Sequence, residues 1–353
     1  MLLTFILLVP LFFQTFATPV ETPTRRLDLC IIPSVRKEWR SFSTREKTEY
    51  FKAFKCLANK PHDKRLSPNP PTPGVPVNAS ASLFDDLVYV HSNQLEKIHM
   101  SAIFLPFHRW FLNTVEQRLR KDCGYRGPMG YWDWTKDASS GIQKSSIFDG
   151  NRDSGLGSFG KASNGFVVTD GAWGGQQVAY PTPHTIVRNF TATPFREGRM
   201  QPEFINKPNQ NVNDAVKVSV VNDVVKGNKG DFVKFYNQFD ELEGFHSGVH
   251  FAMGGDMGDT SYSPNDPLFF LHHGMLDRVW AMWQNQHPSN KKAFGGGSTW
   301  ALQSAEAWKT FGPAGMPPNI GPSARIPNVG MGDSVTVADI LDIRGGYLCY
   351  SYL

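Results

Sequence analysis

The stretch FLHHGMLDRVWAMWQ, residues 270–284, sets two histidines side by side in an apolar, helical run. Successive positions on an α-helix point about 100° apart, so His272 and His273 cannot both face one target squarely. The two must have unequal roles, and the other histidines of the chain indicate what those roles are.

Seven of the ten histidines fall into two groups: His91, His99 and His108, then His246, His250, His272 and His273. His62, His184 and His287 are scattered. His246 and His250 are four apart, so one helix face presents both imidazoles about one turn apart, a chelating geometry. Zinc proteases use the same spacing as HExxH. Here the segment reads HSGVH, and the missing glutamate excludes that chemistry. A third imidazole must come from another helix, and FLHHGMLDRVW can supply it. His99 and His108 are nine apart, about two and a half helical turns, which would put them on opposite faces of one helix. Pro106 relieves this by favouring the start of a new helix, with His108 in its first turn and His99 ending the helix before. His91 then comes from the preceding segment. Two sites of three neutral imidazoles, with no thiolate, suit copper, zinc or non-haem iron. The absence of bridging carboxylates leans to copper, because di-iron sites in helical bundles use glutamates.

The features of the whole chain fit secretion. Its net charge is +4 over 353 residues, which leaves no electrostatic footprint for nucleic acid or a membrane surface. The opening MLLTFILLVPLFFQTFATPV reads as a signal peptide over residues 1–17: the apolar run is short, Pro10 interrupts it, and small residues follow. Residues 18–353 then form a single domain, since no linker divides them. Four cysteines (Cys30, Cys56, Cys123 and Cys349) suit two disulfides in an oxidising compartment, with three pairings open. Asn78 and Asn189 head glycosylation sequons. Helical spacing covers 34–58 (with Ser34 as cap), two segments between 83 and 121 parted near Pro106, then 231–252 and 267–285. Gly, Asn and Ser fill 137–230, which predicts irregular loops. GLGSFG (155–160) follows no strand and opens no helix, so it is not a dinucleotide fingerprint. DGNRDSG (149–155) lacks the glycine and the terminal glutamate of a calcium loop.

These residues are recognisable together. FLPFHRWFLNTVEQRLR, YWDW (131–134), LEGFHSGVH (242–250) and NDPLFFLHHGMLDRVWAMWQ (265–284) resemble the tyrosinase/catechol oxidase family, the type 3 dicopper polyphenol oxidases, and its short secreted fungal-type members in particular. VRKEWRSFSTREK and the final LCYSYL resemble the ends of that family's catalytic domain. The resemblance implies a mainly α fold, with a central four-helix bundle holding a dicopper site, long irregular loops and little β. It implies two copper ions, O2 as co-substrate and small phenols or diphenols as substrates, with no nucleic-acid or membrane partner and a plausible monomer.

Carried over by position, His91, His99 and His108 match the ligands of one copper, and His246, His250 and His273 those of the other. The second histidine of the pair is the ligand, and His272 packs behind it. Asp277 and Arg278 match a pair that steadies this helix, Glu243 a glutamate that holds a water near the site, and Phe269 an aromatic over the histidines. Thr260 matches a residue above the copper entrance, small enough to leave it open. Lys97 stands where many relatives place a thioether cysteine, and Ser247 where true tyrosinases place asparagine. No C-terminal shielding domain is expected after YSY. The resemblance therefore implies catechol oxidase-like oxidation of o-diphenols to o-quinones, with weak monophenol hydroxylation. A true tyrosinase is the alternative, and a haemocyanin-like oxygen-binding protein the more distant one. Cys56–Cys123 and Cys30–Cys349 are the expected disulfides. Asp133 is a candidate to hold a ligand imidazole in its tautomer. Trp132 and Trp134 are expected in the core, His184 in loop packing, and His62 and His287 at the surface.

Overall fold

The computed structural model describes residues 30–67 and 76–353. The expected signal peptide, 1–17, lies outside the described residues. Helix dominates: α1 (Thr44–Leu57), α2 (Leu83–Asn93), the single turn α3 (Leu95–Ile98), α4 (Phe104–Cys123), α5 (Val212–Ala215), α6 (Val218–Lys226), α7 (Phe232–Phe239), α8 (Ser247–Met253), α9 (Gly255–Gly258) and α10 (Leu268–Gln286). Strands are short. Between α4 and α5 the chain runs as loop, 3-10 turns and two-residue strands, as its composition predicts, but the rest of the stretch 137–230 expected to be irregular holds the helices α5 and α6.

The axis of the molecule is α10, which is apolar on every side along most of its length. Phe269, Phe270, Trp280 and Trp283 are all fully buried. A helix without a polar stripe belongs inside a core, and α10 packs against α4, α6 and the strand Gly130–Tyr131. The helices α2, α4, α8 and α10 carry or flank the grouped histidines.

A three-stranded parallel sheet sits beside this core, with Ser34–Glu38 between Gly130–Tyr131 and Tyr350–Tyr352. Its register pairs Ser34 with Tyr350 and Lys37 with Gly130, joining the two ends of the described chain. The disulfide Cys30–Cys349 reinforces that junction, and Cys56–Cys123 ties α1 to α4.

Three sequence expectations are corrected here. Ser34 is no helix cap, because residues 34–38 are extended; Ser43 caps α1 instead, in a reciprocal box with Glu46 that is worth about 1 kcal/mol. The misreading arose because Arg36 and Glu38, two of the three charged residues of that strand, are its buried ones. The helical run 231–252 is broken between Asp240 and His246. Finally, the break ahead of His108 falls before Pro106, which is the third residue of α4; its missing N–H costs nothing there, and His108 enters the second turn.

One buried carboxylate locks these parts together. Asp277 of α10 accepts hydrogen bonds from Arg109 Nε of α4 (2.5 Å), Arg36 Nη1 of the central strand (3.3 Å) and the hydroxyls of Tyr350 and Tyr352. The Arg36 guanidinium lies over the Tyr350 ring and that of Arg109 over Trp280, each at 3.6 Å. Burial pushes the Asp277 carboxyl up, but Arg109 and Arg36 outweigh it and hold it below the ordinary carboxylate range. Arg278 takes no part in this cluster and lies over the ring of Tyr131 at 5.1 Å.

Replacing Asp277 with alanine leaves the buried Arg109 guanidinium without its carboxylate and Arg36 with Glu116 alone. The expected loss is about 3–5 kcal/mol in urea unfolding, and a loss below about 1 kcal/mol would contradict the role assigned to this carboxylate.

Candidate metal centre

Seven histidines converge inside the bundle, and all seven are buried. His91 comes from the last turn of α2, His99 caps the C-terminus of α3, and His108 lies in α4. His246 stands at the N-cap of α8, His250 lies within it, and His272 and His273 come from α10.

The ring orientation of five of them is set by one rule. His91 Nδ1–H donates to the Ser261 carbonyl at 2.9 Å, His99 to Leu95 at 3.0 Å, His108 to Phe104 at 2.8 Å and His250 to Met257 at 2.7 Å. A carbonyl can only accept, so each contact fixes the proton on Nδ1 and leaves Nε2 with a free lone pair. His246 Nδ1 is held by the Asp240 carboxylate at 2.5 Å, which also accepts from the Tyr236 hydroxyl at 2.8 Å. The helix break at 240–246 creates this contact, since a continuous helix would separate the two side chains.

The free nitrogens face one another. His91 Nε2 and His108 Nε2 are 3.3 Å apart, and His250 Nε2 and His273 Nε2 are 3.1 Å apart. Facing lone pairs repel at this distance. The same separation is natural for two imidazoles sharing one ion at about 2.0 Å each. His246 Nε2 is also buried without a hydrogen-bond partner. This donor set fits a pair of metal ions held by imidazole.

Ring nitrogens of His91, His99 and His108 all lie within 4.8 Å of one another, and so do those of His246, His250 and His272. The tightest second group therefore contains His272, where His273 was expected. His273 sits on the boundary: beyond its contact with His250, its ring stacks on His108 of the first group at 4.4 Å and 17°. The 100° divergence of adjacent helix positions holds, but the cluster is wide enough to touch both side chains.

Burial pushes the imidazoles down, with neighbouring imidazoles adding to the effect. His91 falls to about 4, and His99, His108, His250, His272 and His273 lie well below the ordinary histidine value. All six are neutral at pH 7, the state a metal requires.

Two phenylalanines clamp the cluster. Phe269 stacks on His273 at 4.0 Å and meets His91 edge-on at 5.2 Å. Phe104, which the sequence reading passed over, lies 4.5 Å from His108 and 4.6 Å from His246. The signal was available: each phenylalanine precedes a histidine by four residues, on one helix face.

A cavity of about 670 Å³ reaches the cluster at His99, His246 and His250. Ser247 and Thr260 line it, Thr260 as an exposed residue. Glu243 does not line it; its buried carboxylate accepts from the backbone amides of Asn206 and Lys207. Asp133 touches no imidazole and accepts from the Thr135 hydroxyl at 2.6 Å, so Asp240 plays the part expected of it. Lys97 is exposed. Trp132 and Trp134 are fully buried. His62 is half-buried against Asp86 at 2.7 Å rather than free at the surface, and His184 meets Asp256 at 2.9 Å.

Comparison with known proteins agrees with this geometry. A family model described as the common central domain of tyrosinase matches residues 81–286. Tyrosinase P from Aspergillus terreus is 30% identical over 323 residues, covering 82% of this chain and 87% of that protein. The N-acetyl-6-hydroxytryptophan oxidase of Emericella nidulans is 28% identical over 369 residues, covering 90% and 92%. Among solved structures, a mutant polyphenol oxidase from Thermothelomyces thermophila superposes with a TM-score of 0.69 at 27% identity, over 91% of this chain and 89% of that one.

The depressed histidines carry a stability consequence. Below an unfolded value of about 6.5, the unfolded chain takes up protons that the folded chain refuses, so stability is complete above that pH and lost on acidification. The melting temperature of the metal-free protein should fall steadily between pH 6.5 and 5, ahead of the carboxylates. A flat melting temperature across that window would contradict neutral, buried imidazoles.

Proposed function

The chain belongs to the tyrosinase family of type 3 copper oxidoreductases, and from that premise we propose that it is a secreted polyphenol oxidase that converts o-diphenols to o-quinones and hydroxylates monophenols only weakly. In this reading His91, His99 and His108 hold one copper ion, and His246, His250 and His273 the other. The choice of His273 over His272 rests on a repeated distance. Its Nε2 faces His250 Nε2 at 3.1 Å, as His108 faces His91 at 3.3 Å. The His272 ring packs beside those of His246 and His250, at 5.9 and 4.8 Å.

When bound, the copper pair supplies the redox chemistry with O2 that the family is built around. Two diphenols and one O2 yield two quinones and two waters, so electrons and protons balance without a further reductant. The remaining work falls to the chain's own residues. The cavity admits the ring, with Thr260 leaving the rim open. Phe269 and Phe104 hold the imidazoles in place, and Asp240 fixes the proton of His246 on Nδ1. The E. nidulans relative is named for a hydroxyindole, and a cavity of about 670 Å³ has room for a substrate of that size.

The preference for diphenols is carried by Glu243. A monophenol must give up a proton held near pKa 10 before it can bind as phenolate, which calls for a base or a positioned water beside the site. Glu243 is absent from the cavity lining, its Oε1 accepts from the amides of Asn206 and Lys207, and Ser247, which does line the cavity, carries no basic group. Secretion is supported by the two disulfides and by the exposed Asn78 of the sequon. No helix among the described residues is long and apolar enough to cross a membrane.

A matched pair, 4-methylcatechol and 4-methylphenol, tests the proposal on copper-loaded protein. The catechol should show a kcat/KM at least about tenfold higher, and the phenol a long lag. Comparable turnover of both without a lag would overturn it.

A further inference from the structure

Arg199 is the cationic side chain on the wall of the cavity apart from its histidines, and its surroundings are unusual for a half-buried arginine. Its guanidinium is fixed by two neutral groups: Nη1–H donates to the Phe251 carbonyl, near the C-terminal end of α8, and Nη2–H to the Asn189 carbonyl at 2.6 Å. Gly254 makes room for it, since a Cβ there would lie 2.1 Å from Arg199 Nη1. No carboxylate pairs with Arg199 among the described residues. Glu197, the acid whose charge it feels, accepts from the Thr191 hydroxyl at 2.6 Å instead. Burial pushes the guanidinium below its ordinary value, as happens to a cation lacking a counter-ion.

Arginine has five N–H donors in a rigid planar fork. Two are used here for positioning, and the rest remain for whatever enters the cavity. The other charged group on the wall is Asp259, which is exposed and whose Oδ1 is engaged by the amides of Ser261 and Tyr262. The electrostatics of the wall therefore favour an anion at Arg199. Around it the lining is apolar, including Phe204, Leu242 and Trp300.

Building on the phenol-oxidase reading, we propose that the preferred substrate carries a carboxylate on a short side chain opposite its hydroxyls, and that Arg199 is the specificity-determining residue that binds it. The ring lies in the apolar part of the cavity, the hydroxyl end reaches the histidines, and the carboxylate meets the guanidinium fork. The Phe251 and Asn189 carbonyls hold that fork in place before the ligand arrives, so little side-chain entropy is lost on binding.

The test compares 3-(3,4-dihydroxyphenyl)propionic acid with its primary amide on the copper-loaded protein and on Arg199→Gln and Arg199→Lys. In the unmodified protein the acid should have the higher kcat/KM by about three- to tenfold, a range discounted for the partial exposure of the arginine. The advantage should lie in KM and shrink as salt is added. It should vanish in Arg199→Gln and return in part in Arg199→Lys. A ratio near one in the unmodified protein, or an equal loss on acid and amide in Arg199→Gln, would overturn the proposal; the latter would make Arg199 a brace for its loop. Calorimetric binding of 3-phenylpropionate against 3-phenylpropionamide gives the same comparison without turnover. The carboxylate preference therefore stands or falls separately from the oxidase reading.

Discussion

One buried carboxylate sets the geometry on which the rest of the molecule depends. Asp277 leaves α10 one turn beyond His273 and gathers Arg109 from α4, Arg36 from the N-terminal strand, and Tyr350 and Tyr352 from the last strand. Four groups separated by most of the chain are thereby held to a single carboxylate. A buried ion pair of this kind is not a large net source of stability, because desolvation offsets much of the attraction. Its value is that only one arrangement satisfies it. The orientation of α10 follows, and with it the direction in which the two adjacent histidines point.

The second constraint concerns what a buried imidazole needs. Each ring has two nitrogens, and inside a dry core both must be accounted for. For five of the rings the structure satisfies Nδ1 from within, using carbonyls and one carboxylate, and leaves Nε2 bare; His272 and His273 have no partner on Nδ1. The carbonyl acceptors are local: His99 and His108 each bond to the residue four before them. The helix geometry that places the rings also selects their tautomer. What remains is a cluster of inward ring nitrogens at 3.1 and 3.3 Å, clamped by Phe104 and Phe269, a donor set that cations between them would satisfy. The cavity beside it supplies access, and Arg199 gives that access a chemical preference.

Much of this was legible in the sequence because it was local. The i, i+4 spacing of His246 and His250, the apolar run of α10 and the break between His99 and His108 all survive in the structure. The disulfides also match the expected pairings. The features that were missed are those that depend on distant partners. Residues 34–38 read as helix because their charges looked solvated, whereas Arg36 and Glu38 turn inward to partners across the fold. Asp240 looked like an ordinary helix residue until the break behind it swung it onto His246. Arg199 lies in a loop, and nothing in its neighbours' sequence announces a cavity. The helix-angle argument about His272 and His273 was right about divergence and too narrow about consequence, because both rings border the same cluster.

That pair is also where the account is most exposed. If the second copper ion is held by His246, His250 and His273, copper content measured by atomic absorption should read two ions per chain for the unmodified protein, two for His272→Ala and one for His273→Ala. One ion in His272→Ala with two retained in His273→Ala, or equal loss in both, would contradict it.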